Sequence, residues 1–280
     1  MRMTIAEKIL AKKSGNQSVK VGDIVDATPD IIMSHHATYR VLNVLKKLGV
    51  EKLYDKTKLR IVSDHRSPPK DSQQANHQKM TRDFAIKNSI RYFDIDEGIA
   101  HTVLVEKREV LPGMLVVGTD SHSPLYGSIG AFGTGIGYTE AASVWLTGKL
   151  WMKVPETYKF VLKGKDFPRG VYPRDFITVL IAHMTADGCT YKAAEFYGDL
   201  IEGMDIGARM TLCCLAVEMG VKTAIIPTDE ITNKYLTGVS QEYDLVHADD
   251  GAKYEKEITL EARAGYEQPT KYLVKTTNYS

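Results

Sequence analysis

The stretch that decides the fold is VVGTDSHSPLYGSIGAFGTGIG, residues 116–137. An apolar run typical of a buried strand ends at Asp120, Ser121 and His122, and five glycines follow within the next fifteen residues. Ligands of parallel α/β sheets gather where the carboxyl ends of strands lead into loops. A carboxylate, a hydroxyl and an imidazole at such an end therefore predict a functional site on an α/β fold.

Strand and helix patterns alternate along the rest of the chain. Strands are predicted at 59–64, 91–95, 114–120, 157–164 and 222–227. Helices are predicted at 38–49, 71–89, 139–152, 173–187 and 205–219, with Asp71 and Asp205 as N-caps and Pro173 in a first turn. An N-terminal helix is expected between the capping residue Thr4 and Gly15.

This alternation predicts three-layer α/β/α domains with mostly parallel sheets. A boundary near Lys153 is expected, because the strand after it begins a second unit. The two predicted domains are residues 1–153 and 154–280. The tail after about residue 240 is charged and weakly patterned, and no fold is predicted for it.

The composition is that of an ordinary globular protein, with 280 residues, 25% charged residues and a net charge of +1. This balance predicts neither a nucleic acid nor a membrane surface as a partner. No apolar run approaches the roughly 20 residues of a membrane-spanning helix, and the N-terminus lacks the pattern of a signal peptide. Cys189, Cys213 and Cys214 are too few and too oddly placed for a disulfide framework. We therefore expect a cytoplasmic protein.

Carboxylates stand beside imidazoles at two predicted strand ends, Asp64-His65 and Asp120-Ser121-His122. A carboxylate fixes the tautomer of a neighbouring imidazole and raises its basicity. Because the carboxyl ends of parallel strands meet at one edge of a sheet, we expect both groups to face the same cleft. The alternative for any single histidine is that it caps a helix or bonds to the backbone.

Two other histidine segments are candidates for the same cleft. His101 follows DEGIA, and His35-His36 lies in MSHHATY. Either member of the His35-His36 pair is equally compatible with a structural role.

The glycines of the opening stretch leave two interpretations open. A dinucleotide fingerprint is excluded, because Tyr138 stands where the third glycine of G-x-G-x-x-G belongs, and no Walker lysine follows. The glycines either bring the backbone close to a ligand or serve turn geometry.

Two classes of hydrolase use the same residue types. A zinc hydrolase lacks support, because no H-E-x-x-H spacing is present. A serine hydrolase is weak, because Ser121 lies in D-S-H rather than in G-x-S-x-G.

Five segments resemble the aconitase superfamily, especially the large subunits of isopropylmalate isomerase and homoaconitase. GTDSHSPLYGSIGAFGTGIG resembles the family's GDSHT and glycine-rich segment, and DEGIAHTVLVEK its EGI-x-H-Q segment. MTIAEKILAKKSG resembles the opening helix, VSDHRSPP the Asp-His strand end, and GARMTLCCLAVEMGVKTAIIPTDE the run usually written R-x-T-x-C-N-M-x-x-E-M-G. The resemblance covers most of residues 3–230 and implies aconitase-like domains 1 and 2, with the third domain missing.

The resemblance implies a hydro-lyase that dehydrates a small hydroxy-di- or tricarboxylate and rehydrates the alkene, as in amino-acid biosynthesis. Asp64-His65 and Asp120-His122 would protonate the departing hydroxide, and His101 would lie in the surrounding hydrogen-bonded shell. Two further residues match family positions that contact substrate, cluster or water, namely Ser121 and Glu218. The loop with Gly127, Gly130 and Gly133 would lie near the substrate or cluster.

The family's cofactor is a [4Fe–4S] iron–sulfur cluster, and its three cysteine ligands have no counterpart in this chain. Cys213 matches a family cysteine outside the ligand set, and Cys214 stands where the family has an asparagine. No metal ligand of this chain is therefore predicted, and a cluster-free protein is one possibility.

Three interpretations remain: a truncated or split large subunit, a cluster-free relative, or a non-catalytic remnant that binds a partner or a small acid. The leading prediction is a hydro-lyase component acting on an isopropylmalate-like or homocitrate-like substrate. The missing large-subunit portion, a small subunit, or both would complete it.

Overall fold

The computed structural model describes residues 2–50, 52–167, 169–261 and 273–278. The described helices are α1 (Ile5–Ser14), α2 (Thr38–Leu48), α3 (Ser72–Lys87), α4 (Ala100–Glu106), α5 (Tyr138–Thr147), α6 (Pro173–Met184), α7 (Asp199–Glu202), α8 (Ile206–Leu215) and α9 (Glu230–Tyr235). The described strands are β1 (Ile24–Ala27), β2 (Ile31–Ser34), β3 (Leu59–Val62), β4 (Arg91–Phe93), β5 (Leu115–Gly118), β6 (Phe132–Gly135), β7 (Leu150–Lys153), β8 (Thr157–Lys163), β9 (Ala193–Tyr197), β10 (Thr223–Ile225), β11 (Lys256–Glu261) and β12 (Leu273–Asn278). Short 3₁₀ segments lie at Lys56–Lys58, Ser123–Ile129 and Ala216–Met219.

The first five-stranded sheet is fully parallel, with the order β4-β3-β2-β5-β6. Successive residues of a strand point to opposite faces. Ile32 of β2 packs in one core cluster with Val41 of α2 and Trp145 of α5, whereas Ile31 packs in another with Leu104 of α4. Helices therefore cover both faces, which confirms the predicted three-layer α/β/α arrangement with a mostly parallel sheet.

The second five-stranded sheet has the order β10-β9-β8-β11-β12, and only its β11–β12 pair is antiparallel among the described strands. Phe160 of β8 packs in one core cluster with Phe176 of α6 and Leu212 of α8. The tail, for which the sequence predicts no fold, supplies β11, which pairs in parallel with β8, and the edge strand β12. Because the two large sheets use separate parts of the chain, we retain the domain division near Lys153 as a proposal.

Several predicted helix boundaries are confirmed. The side chains of Thr4, Asp71 and Asp205 each accept a hydrogen bond from a backbone N–H of the first turn of α1, α3 and α8. Gly15 ends α1 with a left-handed φ of +73°, and Pro173 is the first residue of α6.

The prediction of a continuous helix over 139–152 is wrong at its end. α5 stops at Thr147, and Gly148 adopts a left-handed φ of +70° that turns the chain out of the helix. Residues 150–153 form β7 instead, which pairs antiparallel with β1. The apolar residues of LWMK alternate between buried and exposed positions, a strand pattern too short to stand out from the preceding helix.

The 3₁₀ segment Ser123–Ile129 joins the two sheets and explains part of the glycine pattern. The backbone N–H of Ile226, just beyond β10, donates a hydrogen bond of 2.9 Å to the carbonyl of Gly127. A Cβ at Gly127 would lie 1.6 Å from the carbonyl oxygen of Ala224, so any larger residue would collide with β10. This contact fixes the loop after β5 against the second sheet.

Gly127, Gly130 and Gly133 have a packing role in the structure, and their proximity to a ligand stays a prediction. A Cβ at Gly133 would lie 2.1 Å from the carbonyl oxygen of Ser123, and Gly130 has a φ of +83° beside Thr228. The space beside each of these glycines is filled by protein atoms. Close packing of chain on chain therefore requires them.

Within the described residues, no helix combines the length and apolarity required to cross a membrane. The cytoplasmic location stays a prediction.

Candidate active site

The predicted site residues converge at the carboxyl edge of the first sheet. β2, β3 and β5 are adjacent there, because β2 pairs in parallel with both of the others. The loops after these strands bring together the polar residues His35, His36, Asp64, His65, Asp120, Ser121 and His122. Neighbouring rings stand close, with centroids of His65 and His101 6.4 Å apart and those of His101 and His122 5.5 Å apart.

Asp64 is buried and holds His65 in place. Its Oδ2 lies 2.8 Å from Nδ1 of His65 and accepts a hydrogen bond of 2.8 Å from the backbone N–H of Ala100 at the start of α4. Burial by itself would raise the pKa of Asp64, but the neighbouring His36, the Ala100 amide and His65 together lower it. His65 has a left-handed φ of +34°, a strained backbone conformation that is common at functional sites.

Asp120 lies at the centre of the cluster. Its Oδ1 accepts a hydrogen bond of 2.7 Å from the backbone N–H of His122 and lies 3.5 Å from Nδ1 of His101, while Oδ2 lies 3.7 Å from Nε2 of His65. Burial would raise the pKa of Asp120, but the His101 imidazole and the His122 amide hold it well below its usual range. A negative charge is thus maintained among three imidazoles.

Asp120 and His122 are paired in the structure, but the hydrogen bond comes from the His122 backbone and not from its ring. The Asp120 carboxylate bonds to the backbone of His122, and the His122 ring nitrogen Nδ1 is 3.7 Å away. This is the local bond that an aspartate makes to the amide two residues ahead. The ring nitrogen closest to Asp120 belongs to His101, whose Nδ1 is buried without a hydrogen-bond partner among the described residues.

Glu218 and Ser121 both contact His122. Glu218 lies in the 3₁₀ segment that follows α8, and its Oε1 is 3.7 Å from Nε2 of His122. The hydroxyl of Ser121 is 3.2 Å from Nδ1 of His122. The second sheet's side of the molecule therefore reaches the Asp-His cluster, although Glu218 itself is largely exposed.

The His35-His36 pair belongs to the same cluster. Nδ1 of His35 lies 2.6 Å from the hydroxyl of Thr119, and burial followed by the nearby His36 lowers the pKa of His35 to about 4. Nδ1 of His36 lies 3.7 Å from Oδ1 of Asp64.

A cavity of about 410 Å³ adjoins the cluster. The side chain of Lys222 lines it, and the sequence does not predict this lysine as a site residue. The lining of the cavity includes Asp120, Ser121, Glu140 and Lys222, but no described histidine. Burial lowers the pKa of the Lys222 ammonium group. The segment KTAIIP predicts only a strand, so no pattern in the sequence marks Lys222 as part of a site.

The cysteines do not fit as ligands of an iron–sulfur cluster. Cys189 and Cys213 are 0% exposed within the apolar core of the second sheet. Burial raises the pKa of Cys189 to about 12 and that of Cys214 to about 11, and it raises that of Cys213 as well. Cluster ligation needs thiolates, and these environments favour the protonated thiol.

The fold and the site together define an α/β protein with imidazoles and buried carboxylates grouped at the carboxyl edge of a parallel sheet. The family model of the Aconitase family (aconitate hydratase) matches residues 7–274. The chain belongs to the aconitase family, and the resemblance stated from its motifs is confirmed.

Curated relatives share this match over most of the chain. The 3-isopropylmalate dehydratase large subunit 1 of Methanopyrus kandleri is 41% identical over 264 residues, which cover 93% of this chain and 63% of the relative. The 3-isopropylmalate dehydratase large subunit of Thermodesulfovibrio yellowstonii is 42% identical over 258 residues, covering 91% of this chain and 61% of the relative. The chain thus spans about three fifths of the length of these relatives.

Proposed function

We propose that this chain contributes the proton-donating side of a hydro-lyase site. The substrate is a small hydroxy-di- or tricarboxylate, and the relatives named 3-isopropylmalate dehydratase favour an isopropylmalate-like acid over a homocitrate-like one. The observation that carries the proposal is the convergence of ring nitrogens of His65, His101 and His122 on the buried Asp120 carboxylate, each within 3.7 Å.

The chemistry requires a proton donor at the leaving oxygen. In dehydration the C–O bond breaks with its electron pair on oxygen, and hydroxide is a poor leaving group unless it receives a proton. An imidazole of His101 or His122 donates that proton, and the Asp120 charge beside it stabilises the protonated ring before the transfer. The neighbouring carbon loses its proton to a base, which we assign to no described residue. Rehydration reverses both transfers.

The adjoining cavity supplies groups suited to a hydroxy acid. Lys222 brings a positive charge for a substrate carboxylate, and the Ser121 hydroxyl brings a hydrogen-bonding group beside Asp120. Glu218, close to His122, is placed to hold the water that departs or adds. A general acid of this kind contributes about 10²–10⁴-fold to the rate.

Completion by other polypeptide is part of the proposal. The chain spans about three fifths of its curated relatives, so further large-subunit sequence and a small subunit are the expected partners. The family implies a [4Fe–4S] cluster, but the three cysteines of this chain do not fit as its ligands. No step of the proton transfers above is therefore routed through the cluster.

The test is turnover by the protein as its source cell assembles it. The tagged chain is purified without oxygen, together with the polypeptides that accompany it, and incubated with isopropylmalate, homocitrate and citrate. We expect ultraviolet absorbance of a conjugated alkene acid from isopropylmalate. His101→Ala, His122→Ala or both should lower that rate by about 10²–10⁴-fold while the chain stays folded.

Asp96→Asn is the matched control, because Asp96 is exposed in the loop before His101. It should keep the rate of the unaltered protein. The competing hypothesis, a remnant that only binds a partner or a small acid, predicts no alkene from any of the three acids. No turnover, or unchanged turnover in both His101→Ala and His122→Ala, contradicts the proposed function.

A further inference from the structure

Three histidines at one end of the Asp-His cluster form a compact group. His65 among them also lies beside Asp120, but the proton transfer above is assigned to His101 or His122. Each of His35, His36 and His65 offers a ring nitrogen, and these three nitrogens lie within 4.8 Å of one another. The ring centroids are 4.2 Å apart for His35 and His36, 5.0 Å for His36 and His65, and 5.3 Å for His35 and His65.

The contacts of the His35 and His65 rings match those expected of imidazoles that bind a metal. A histidine that binds a metal through one nitrogen usually bonds through its other nitrogen to a carboxylate, carbonyl or other acceptor. Nδ1 of His65 contacts Asp64 at 2.8 Å, and Nδ1 of His35 contacts the Thr119 hydroxyl at 2.6 Å. Both contacts leave Nε2 for a ligand.

His36 supplies a second, independent observation. Its Nδ1 is buried and has no hydrogen-bond partner among the described residues, and its distance of 3.7 Å from Asp64 exceeds that of a hydrogen bond. Leaving a buried polar atom unpaired costs free energy, so such atoms in a folded protein call for an explanation. A bound cation beside the rings provides one.

We propose that His35, His36 and His65 bind one divalent transition-metal ion of the zinc class. Imidazole nitrogen is a preferred ligand of Zn²⁺, Ni²⁺, Cu²⁺ and Fe²⁺, whereas Mg²⁺ and Ca²⁺ prefer oxygen. Asp64 and Asp120 contribute buried negative charge next to the rings. Three protein ligands leave a fourth position for water or a carboxylate oxygen, as in catalytic zinc sites.

The geometry requires only a small closure of the site. Ligand nitrogens 4.8 Å apart at most place a central ion no more than about 2.8 Å from each, against a Zn–N distance of about 2.0–2.1 Å. Side-chain rotations that move the ring nitrogens by less than about 1 Å bring them to the Zn–N bonding distance. The side chain of His65 is 41% exposed, which gives an ion a path to the site from solvent.

The metal site and the proposed hydro-lyase activity can be tested separately. An ion on Nε2 of His65 leaves His101 and His122 beside Asp120 to donate protons. Binding of the ion is measured without substrate, so a failure of either proposal leaves the other unaffected.

Calorimetric titration of the chelator-treated 280-residue chain with Zn²⁺ tests the site. We expect one ion per chain, with His36→Gln and His65→Gln each weakening binding more than about 100-fold. Asp64→Asn removes the bond to the far side of His65 and should weaken binding about 10–100-fold. His183→Gln, at an exposed position on α6, is the control and should bind as the unaltered chain does.

A second measurement needs no variant and therefore does not depend on how the substituted chains fold. The unaltered chain is treated with the imidazole reagent diethyl pyrocarbonate, with and without Zn²⁺, and modified peptides are counted by mass spectrometry. Zn²⁺ should protect His65 and leave His183 reactive. No stoichiometric binding, or equal modification of His65 with and without Zn²⁺, overturns the proposal.

Discussion

The carboxyl edge of the first sheet and the interior of the second half of the chain differ in how completely their buried charged groups are hydrogen-bonded. At the edge, the Asp120 carboxylate has one backbone hydrogen bond and three imidazoles that stand 3.5 to 3.7 Å away. In the second half, the fully buried Arg209 bonds to both oxygens of Asp229 and to the carbonyls of Met204 and Ile201. The Arg209 network is saturated, whereas the Asp120 group retains capacity to bind.

Glu195 of β9 shows the saturated pattern a second time. It is 0% exposed, and burial raises the pKa of its carboxyl group. Its oxygens accept hydrogen bonds from the hydroxyls of Tyr197 and Tyr254 and from the backbone N–H of Ala6 in α1. Buried polar groups with all partners in place stabilise a fold, whereas buried groups that lack partners call for an explanation, of which a ligand is one.

The largest expected effect is on turnover at the sheet edge. Asp120→Asn keeps the shape of the side chain and removes the charge that stabilises a protonated His101 or His122. We expect the dehydration rate to fall by about 10²–10⁴-fold, together with a loss of the unfolding free energy that the lowered pKa of Asp120 contributes. Rate assays and urea titrations of the same preparation measure both quantities, with Asp96→Asn as the control. A strong loss of stability with normal turnover would show that Asp120 serves the stability of the fold and not the reaction.

The second effect is on stability in the second half. Arg209→Met removes a buried cation and leaves the Asp229 carboxylate and two carbonyls without their donor. Breaking a buried ion pair from one side costs about 3–5 kcal/mol, and the partial exposure of Asp229 favours the lower end. Urea titration measures the loss. Arg174→Met, at an exposed site on α6, should change stability by less than about 0.5 kcal/mol.

The third effect tests whether the two regions are coupled. Gly127→Ala places a Cβ against the backbone of β10 at Ala224, and the strain should cost about 1–3 kcal/mol. Because this contact fixes the loop that carries His122, the substitution should also change the distance between the His122 ring and the Glu218 carboxylate and lower turnover. Thermal unfolding and rate assays on one preparation measure the two effects.

Gly203→Ala is the matched control for this test. Gly203 follows α7 with a φ of −83°, and the nearest atom to an added Cβ is the carbonyl oxygen of Lys165 at 3.6 Å, so it should tolerate the added methyl group. Normal stability in Gly127→Ala would contradict the packing explanation for the glycine.

The sequence predicts the sheet edge better than the contacts within it. Strand ends followed by Asp-His steps are visible in the sequence, and adjacency of parallel strands is enough to bring them together. The choice of His101 rather than the His122 ring as the nearest partner of Asp120 depends on a local backbone bond, which no residue pattern fixes. The packing role of Gly127 depends on β10, nearly a hundred residues later in the sequence, so the glycine pattern alone does not predict it.

The smallest expected effect is a pH dependence in the saturated region. Burial by itself would raise the pKa of Asp229, but the Arg209 guanidinium and the Thr232 amide outweigh it, and the pKa of Asp229 is lowered on folding. A carboxyl group with a lowered folded-state pKa adds stability that is present above its unfolded pKa of about 3.9 and is lost as the pH falls through the folded value. The unaltered chain should therefore lose unfolding free energy more steeply below about pH 5 than Asp229→Asn does. Asp64 and Asp120 add to the acid loss of stability in both proteins. Urea titrations from pH 7 to acid must therefore compare the slope of unfolding free energy against pH in the unaltered chain with that in Asp229→Asn.

In the Arg209→Met background the two slopes should converge, because the pairing that lowers the pKa of Asp229 is gone. Equal slopes with Arg209 present would show that the Arg209–Asp229 pair contributes no pH-dependent stability, and the contrast between the two regions would then rest on turnover alone.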